Sequence, residues 1–148
     1  MPAVTARRRE RGSVLMLMPA AVMIVILLGS IAVDFAIAFL GEREALSLAS
    51  AAANDAAAAA LDEQHFRDTG EFTLDHDRAR RIVAATLEAS SSELHDITVE
   101  VSFPYVDGTE GVRVEVTGTV DYVFAKAIPG APDELEVVAS ATAVARVG

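Results

Sequence analysis

The chain has 148 residues, with 22 Asp and Glu against 12 Lys and Arg, and a formal net charge of −10. An acidic exterior without a basic cluster argues against nucleic acid as a partner, because phosphate binding needs Lys and Arg. The absence of cysteine excludes disulfides, thiolate metal ligands and a thiol nucleophile.

Residues 1–12 hold Arg7, Arg8, Arg9 and Arg11 against Glu10, about +3 in charge. Residues 13–33 then read SVLMLMPAAVMIVILLGSIAV, without one charged side chain. Roughly 20 apolar residues at 1.5 Å rise span the ~30 Å hydrocarbon core of a bilayer. About eleven Leu, Ile and Val residues contribute on the order of −3 to −6 kcal/mol to insertion, less what Pro19, Ser30 and the glycine subtract. The run resumes as FAIAFL after Asp34, so a transmembrane anchor is predicted over 13–40. The arginines hold its short end in the cytoplasm. The remainder, about −13 from residue 34 onward, then lies outside the cytoplasmic membrane. Two alternatives compete with a permanent anchor. One is a cleavable export signal, since Ala36-Ile37-Ala38 is an A-x-A pattern, although signal apolar regions usually run only ~7–15 residues. The other is a buried helix of a soluble core.

Gly41 is the first expected weak point of the helix. From there GEREALSLASAAANDAAAAAL covers 41–61 and is dominated by alanine, the best helix former. Arg43, Ser47, Ser50 and Asn54 recur at helical spacing and form a polar stripe. Leu46, Ala49, Ala53, Ala57 and Ala60 make a neighbouring stripe of mostly small residues, against which another helix or a sheet can approach closely. That face packs either on the chain's own domain or on other subunits. Together the two segments predict one near-continuous helix of about 50 residues, roughly 75 Å long, with Pro19 kinking it near the cytoplasmic end.

Residues 62–77 turn polar around Gly70 and read as a loop. Asp75 or Asp77 is placed to cap a helix that runs to about Ala89, with Ala79, Ile82, Val83, Thr86 and Leu87 on one face. The last third changes to period two. Ile97, Val99, Val101 and Phe103 alternate with polar residues, as do Val112, Val114, Val116, Val120, Tyr122 and Phe124. Leu135, Val137, Ala139, Ala141, Ala143 and Ala145 repeat the pattern. Asp107-Gly108 with Gly111, and Pro129-Gly130 with Pro132, mark the turns between them. The expected fold is therefore α+β: a long N-terminal helix, then a small domain of one helix and a three-stranded antiparallel sheet. The divisions are 1–12 cytoplasmic, 13–40 anchor, 41–62 alanine-rich helix and 63–148 external domain. The small-residue face of the third strand calls for a helix close above it.

The residues point to no enzyme chemistry. His65, His76 and His95 are the only histidines, and neither H-x-x-x-H nor H-E-x-x-H occurs. Asp75-His76-Asp77 cannot turn three consecutive side chains to one ion on a regular element. G-x-S-x-G, S-x-x-K and phosphate-binding loops are also missing from the sequence. No catalytic residue, cofactor, metal or small-molecule substrate is expected. Asp34 alone asks for an explanation, as a carboxylate flanked by apolar residues. Its two readings are a solvated place at the outer interface and a contact with another subunit.

Arg8-Arg9-Glu10-Arg11-Gly12-Ser13-Val14 opening directly into an apolar helix resembles the start of TadE/TadG-like proteins of Flp (tight adherence, Tad) pilus-assembly systems. Ile31-Ala32-Val33-Asp34, the Ala49-Ser50-Ala51-Ala52-Ala53-Asn54-Asp55-Ala56-Ala57 helix and the Val137-Val138-Ala139-Ser140-Ala141-Thr142-Ala143 strand resemble that family too. The resemblance covers about residues 8–60, and beyond them only the layout. It implies a non-enzymatic, pilin-like, single-pass protein whose partners are the bilayer and other pilus-assembly or pilin-like subunits. Pilin-type leaders are cut after a glycine such as Gly12, with glutamate fifth in the mature helix. Leu17 stands at that position, so an uncleaved, TadG-like condition is expected.

Overall fold

The computed structural model describes residues 10–61, 63–70 and 73–145. Arg7, Arg8 and Arg9 lie outside the described residues, as does the side chain of Arg11. Among the described residues there are three helices, α1 (Glu10–Ala59), α2 (Glu63–Thr69) and α3 (His76–Ala89), and four strands, β1 (His95–Ser102), β2 (Tyr105–Val106), β3 (Thr109–Asp121) and β4 (Glu134–Val144). A short 3-10 turn, Ala125–Ala127, lies between β3 and β4.

The expected long helix is present as one element of 50 residues, with Pro19 inside it. Gly41, however, is not a weak point. A Cβ built on it would come within 2.6 Å of Val120 Cγ1, so at this glycine α1 and the sheet approach too closely for a side chain. From that point outward the helix is part of the domain rather than a separate spacer. Ala45, Ala49, Ala52, Ala53, Ala56 and Ala60 are buried in the same core as Val112, Val114, Val116 and Val137. The division at 62/63 therefore cuts through one core, because residues on both sides of it bury the same surface.

The sheet is antiparallel, with β3 central between β1 and β4. β4 pairs with β3 without a break from Gly111↔Val144 to Asp121↔Glu134. This register sets Val112, Val114 and Val116 beside Ala143, Ala141 and Ala139. The alanines of β4 leave room for the alanine face of α1, so two backbones come close with few long side chains to order. Each valine buried from water here contributes about 1.5–3 kcal/mol.

Three local features depart from the expected meander. The first strand continues past Pro104 as β2, where Tyr105↔Glu110 keeps the register of Ser102↔Arg113. Proline cannot donate to the ladder, although its carbonyl accepts from Gly111 N at 2.8 Å. Asp107 (φ 51) and Gly108 (φ 82) then form the two-residue turn into β3, the left-handed pair such a hairpin requires. At the other end of β1 the register shifts between His95 and Thr98, and Asp96 takes a positive φ of 50. Lastly, the polar stretch 62–77 contains the short helix α2.

α3 runs back along α1. Asp75 caps it, its carboxylate accepting from Arg78 N at 2.9 Å, and Asp75 N itself donates to Ala60 O at the far end of α1. Thr86 Oγ1 donates to Asp55 Oδ2 midway, and Ser92 Oγ and Glu93 N both donate to Glu44 Oε1 beyond the end of α3. Ala79 and Val83 are buried, with Ile82, Thr86 and Leu87 half-buried, as their spacing predicts.

Candidate functional site

The sequence places about twenty apolar residues on the inner half of α1, and the fold leaves them uncovered. From Leu17 to Phe35 the large apolar side chains are exposed, Met18 at 71% and Phe35 at 73% among them, and Ile37 is the first to pack against the core. A soluble helix buries its apolar face. Here no face is covered along the inner stretch, and the helix is long and apolar enough to cross a membrane. An uncovered apolar surface of this size marks a contact site for a membrane or another protein.

The first residue to tie this stretch to the domain is Asp34. Its Oδ1 accepts from Val123 N at 3.0 Å and Phe124 N at 3.1 Å, and its Oδ2 from Ala125 N at 2.8 Å. These three donors open the 3-10 turn Ala125–Ala127, and Lys126 adds a positive charge beside the same carboxylate. An ionised carboxylate has only acceptors to offer, and three backbone N–H groups aimed at it are a matched set. Asp34 thus holds its own chain across a separation of about ninety residues. Sequence reasoning singled it out for its apolar flanks, but its partners are backbone groups and leave no trace in side-chain patterns.

The predicted packing residues divide. Ala49, Ala53, Ala57 and Ala60 are all buried within the chain, by its own sheet and α3, so of the two readings of this stripe the structure places them in the own-domain one. Leu46, assigned to the same stripe, is 48% exposed and lies off it, whereas Ala45, Leu48, Ala52 and Ala56 belong to the buried face. The opposite stripe of Arg43, Ser47 and Asn54 is exposed, with Ser50 half-buried.

The titratable side chains around the start of α3 have structural occupations. Asp75 caps, and Asp77 faces Arg80 at 3.4 Å. His76 Nε2 meets Glu110 Oε1 at 2.9 Å, while its ring stacks on Phe103 at 3.9 Å and Arg80 lies over the same ring. This cluster pins the start of α3 to the β1–β3 hairpin. A shallow groove of about 440 Å³ runs between Ile37, Gly41, Glu44, His95 and Val120, but Glu44 is already taken by Ser92 and Glu93. Among the described residues no group of three His, Asp or Glu side chains converges as a metal site would require.

No family model, curated protein or solved structure matches the chain.

Proposed function

We propose that the chain is a single-pass, pilin-like membrane protein that acts in Flp/Tad-type pilus assembly or associated secretion through helix packing and protein contacts. The observation that carries the membrane part is the continuity of α1. One unbroken helix exposes large aliphatic side chains along its inner half and closes a small α+β domain with its outer half. The pilus assignment rests on the sequence resemblance of residues 8–60, supported by a layout in which a long N-terminal helix packs its outer part on an antiparallel sheet. The arginine-rich end stays in the cytoplasm and the domain stands outside. In this reading the chain performs no catalysis and needs no cofactor.

Release of a soluble module by cleavage near Ala38 fits the structure less well, because it would remove Asp34 and strand the three amides that it holds. Alkaline carbonate extraction followed by N-terminal sequencing tests the anchor. The protein should stay in the membrane fraction, with an N-terminus upstream of residue 14. A soluble protein starting near residue 39 would overturn the reading. A reporter fused after Gly148 should be active only outside the cytoplasm, and co-purification with pilus-assembly subunits tests the assignment to that machinery.

A further inference from the structure

The β3–β4 connection, residues 122–133, is the part of the domain nearest to where the apolar helix emerges. β3 descends along α1 until Val120 meets Gly41, and the chain then continues down to Asp34, seven helical residues or about 10 Å further toward the inner half. Tyr122 N donates to Asp133 O at 2.9 Å and closes the loop on itself. Between these two residues the loop exposes Val123 (51%), Phe124 (42%) and Ile128 (60%). Three large apolar side chains on a twelve-residue solvent loop are a cost with no return inside this chain. The same segment, YVFAKAIPGAP, carries one charge, Lys126, which is the only lysine of the protein.

With α1 read as a membrane span, depth says what these side chains would meet. Residues 13–33 cover about 31 Å as a helix, the thickness of the hydrocarbon core. Asp34 then falls at the outer boundary, and the loop it holds falls at the level of the lipid headgroups. We propose that residues 122–132 form a foot that inserts Val123, Phe124 and Ile128 into the headgroup layer of the bilayer α1 crosses. Lys126 lies against anionic lipid phosphate, and Asp34 is the latch that sets the foot's depth. The proposal rests on the reading of α1 as a membrane span. Charge supports the choice of a lipid surface. The rest of the external part is strongly acidic and is repelled by anionic lipid, whereas the foot carries a single positive charge and no acid. The latch also suits the place: its three amides are satisfied from within the chain, as backbone near a water-poor layer demands.

The chain has no cysteine, so single cysteines can be introduced and labelled with an environment-sensitive fluorophore. The full-length protein is reconstituted in vesicles of phosphatidylcholine and phosphatidylglycerol, with and without doxyl-labelled lipid. Three sites are compared: Ile26→Cys in the helix, Ile128→Cys in the foot and Tyr105→Cys at the far hairpin. The proposal expects deep quenching at 26, shallow quenching with a blue shift at 128, and neither at 105. Adding Asp34→Ala to the 128 variant should abolish the shallow quenching and leave the 105 signal unchanged. Lys126→Glu should reduce it, by up to about fivefold, only where anionic lipid is present. Quenching at 26 with a water-like signal at 128 would overturn the foot and leave the anchor standing. A blue shift at 128 without lipid quenching would overturn it in favour of a protein contact. An unquenched label at 26 would overturn anchor and foot together. Unchanged quenching in the Asp34→Ala variant would overturn the latch.

Discussion

The two halves of α1 share one unbroken helix and opposite surroundings. The inner half carries Leu, Ile, Val and Met on every side and leaves them exposed, while the outer half buries a stripe of alanines against its own sheet. The outer half also carries a polar stripe, but polarity alone does not explain how closely its apolar face packs. Side-chain size does. Large aliphatics distributed all round leave no single face along which a small domain could dock, and in the proposed anchor lipid meets them from every direction. Alanines on one face, with Gly41 at its base, let the helix backbone come close to β3 and β4. The polar stripe of Arg43, Ser47 and Asn54 then fixes which side stays in water.

The contrast predicts different penalties for similar changes. The largest effect belongs to the inner half. Ile26→Arg moves one residue from about −0.5 to about +3 kcal/mol at a helix centre, and Ile26→Arg with Leu28→Arg roughly doubles that loss. The double variant should move from the carbonate-resistant pellet to the soluble or degraded fraction. In the outer half, Ala53→Leu keeps the apolar character but overpacks the helix–sheet contact, at about 1–3 kcal/mol of domain stability. It should lower the protease resistance of the external domain while membrane retention is unchanged. Asn54→Leu on the exposed face should stay within about 0.5 kcal/mol.

Gly41→Ala sharpens the comparison further. The new methyl meets Val120, an overpacking cost of about 1–3 kcal/mol, offset by about 1 kcal/mol of helix propensity. The net loss should be smaller than for Ala53→Leu, and Val120→Ala should rescue part of it in a double-mutant cycle. Asp34→Asn should have the most local effect. It leaves the core intact, so hydrogen exchange should quicken at Val123, Phe124 and Ala125 while the β3 amides keep their protection.

Much of this architecture was legible in the sequence wherever a local rule governs it. The period-two runs gave β1, β3 and β4, because each strand turns one face toward the core, although on β1 only Val99 and Val101 reach it. Asp75 could be read as a cap because its partner lies three residues away. What escaped reading depends on partners far along the chain. Gly41 looks like a helix breaker by propensity, and only Val120, nearly eighty residues later, turns it into a packing requirement. The apolar flanks of Asp34 marked it for attention, but its donors are backbone groups of a loop about ninety residues away. Leu46 was placed on the small-residue stripe, and Ala45, Ala52 and Ala56 left off it, because in so alanine-rich a stretch several neighbouring stripes fit the helical period almost equally well. β2 was hidden by Pro104, which reads as a strand end although the chain resumes the same register beyond it.

The central claim is that one helix has lipid around its inner half and its own domain against its outer half. Single cysteines placed in turn along residues 17–60 of the full-length protein in native membranes, probed with a membrane-impermeant maleimide, test it most directly. No labelling is expected anywhere from 17 to 33, then a helical pattern from 43 onward. In that pattern Arg43, Ser47 and Asn54 react, while Ala45, Ala49, Ala52, Ala53 and Ala56 are protected. Labelling of one face within 17–33, or uniform labelling from 43 to 57, would contradict it.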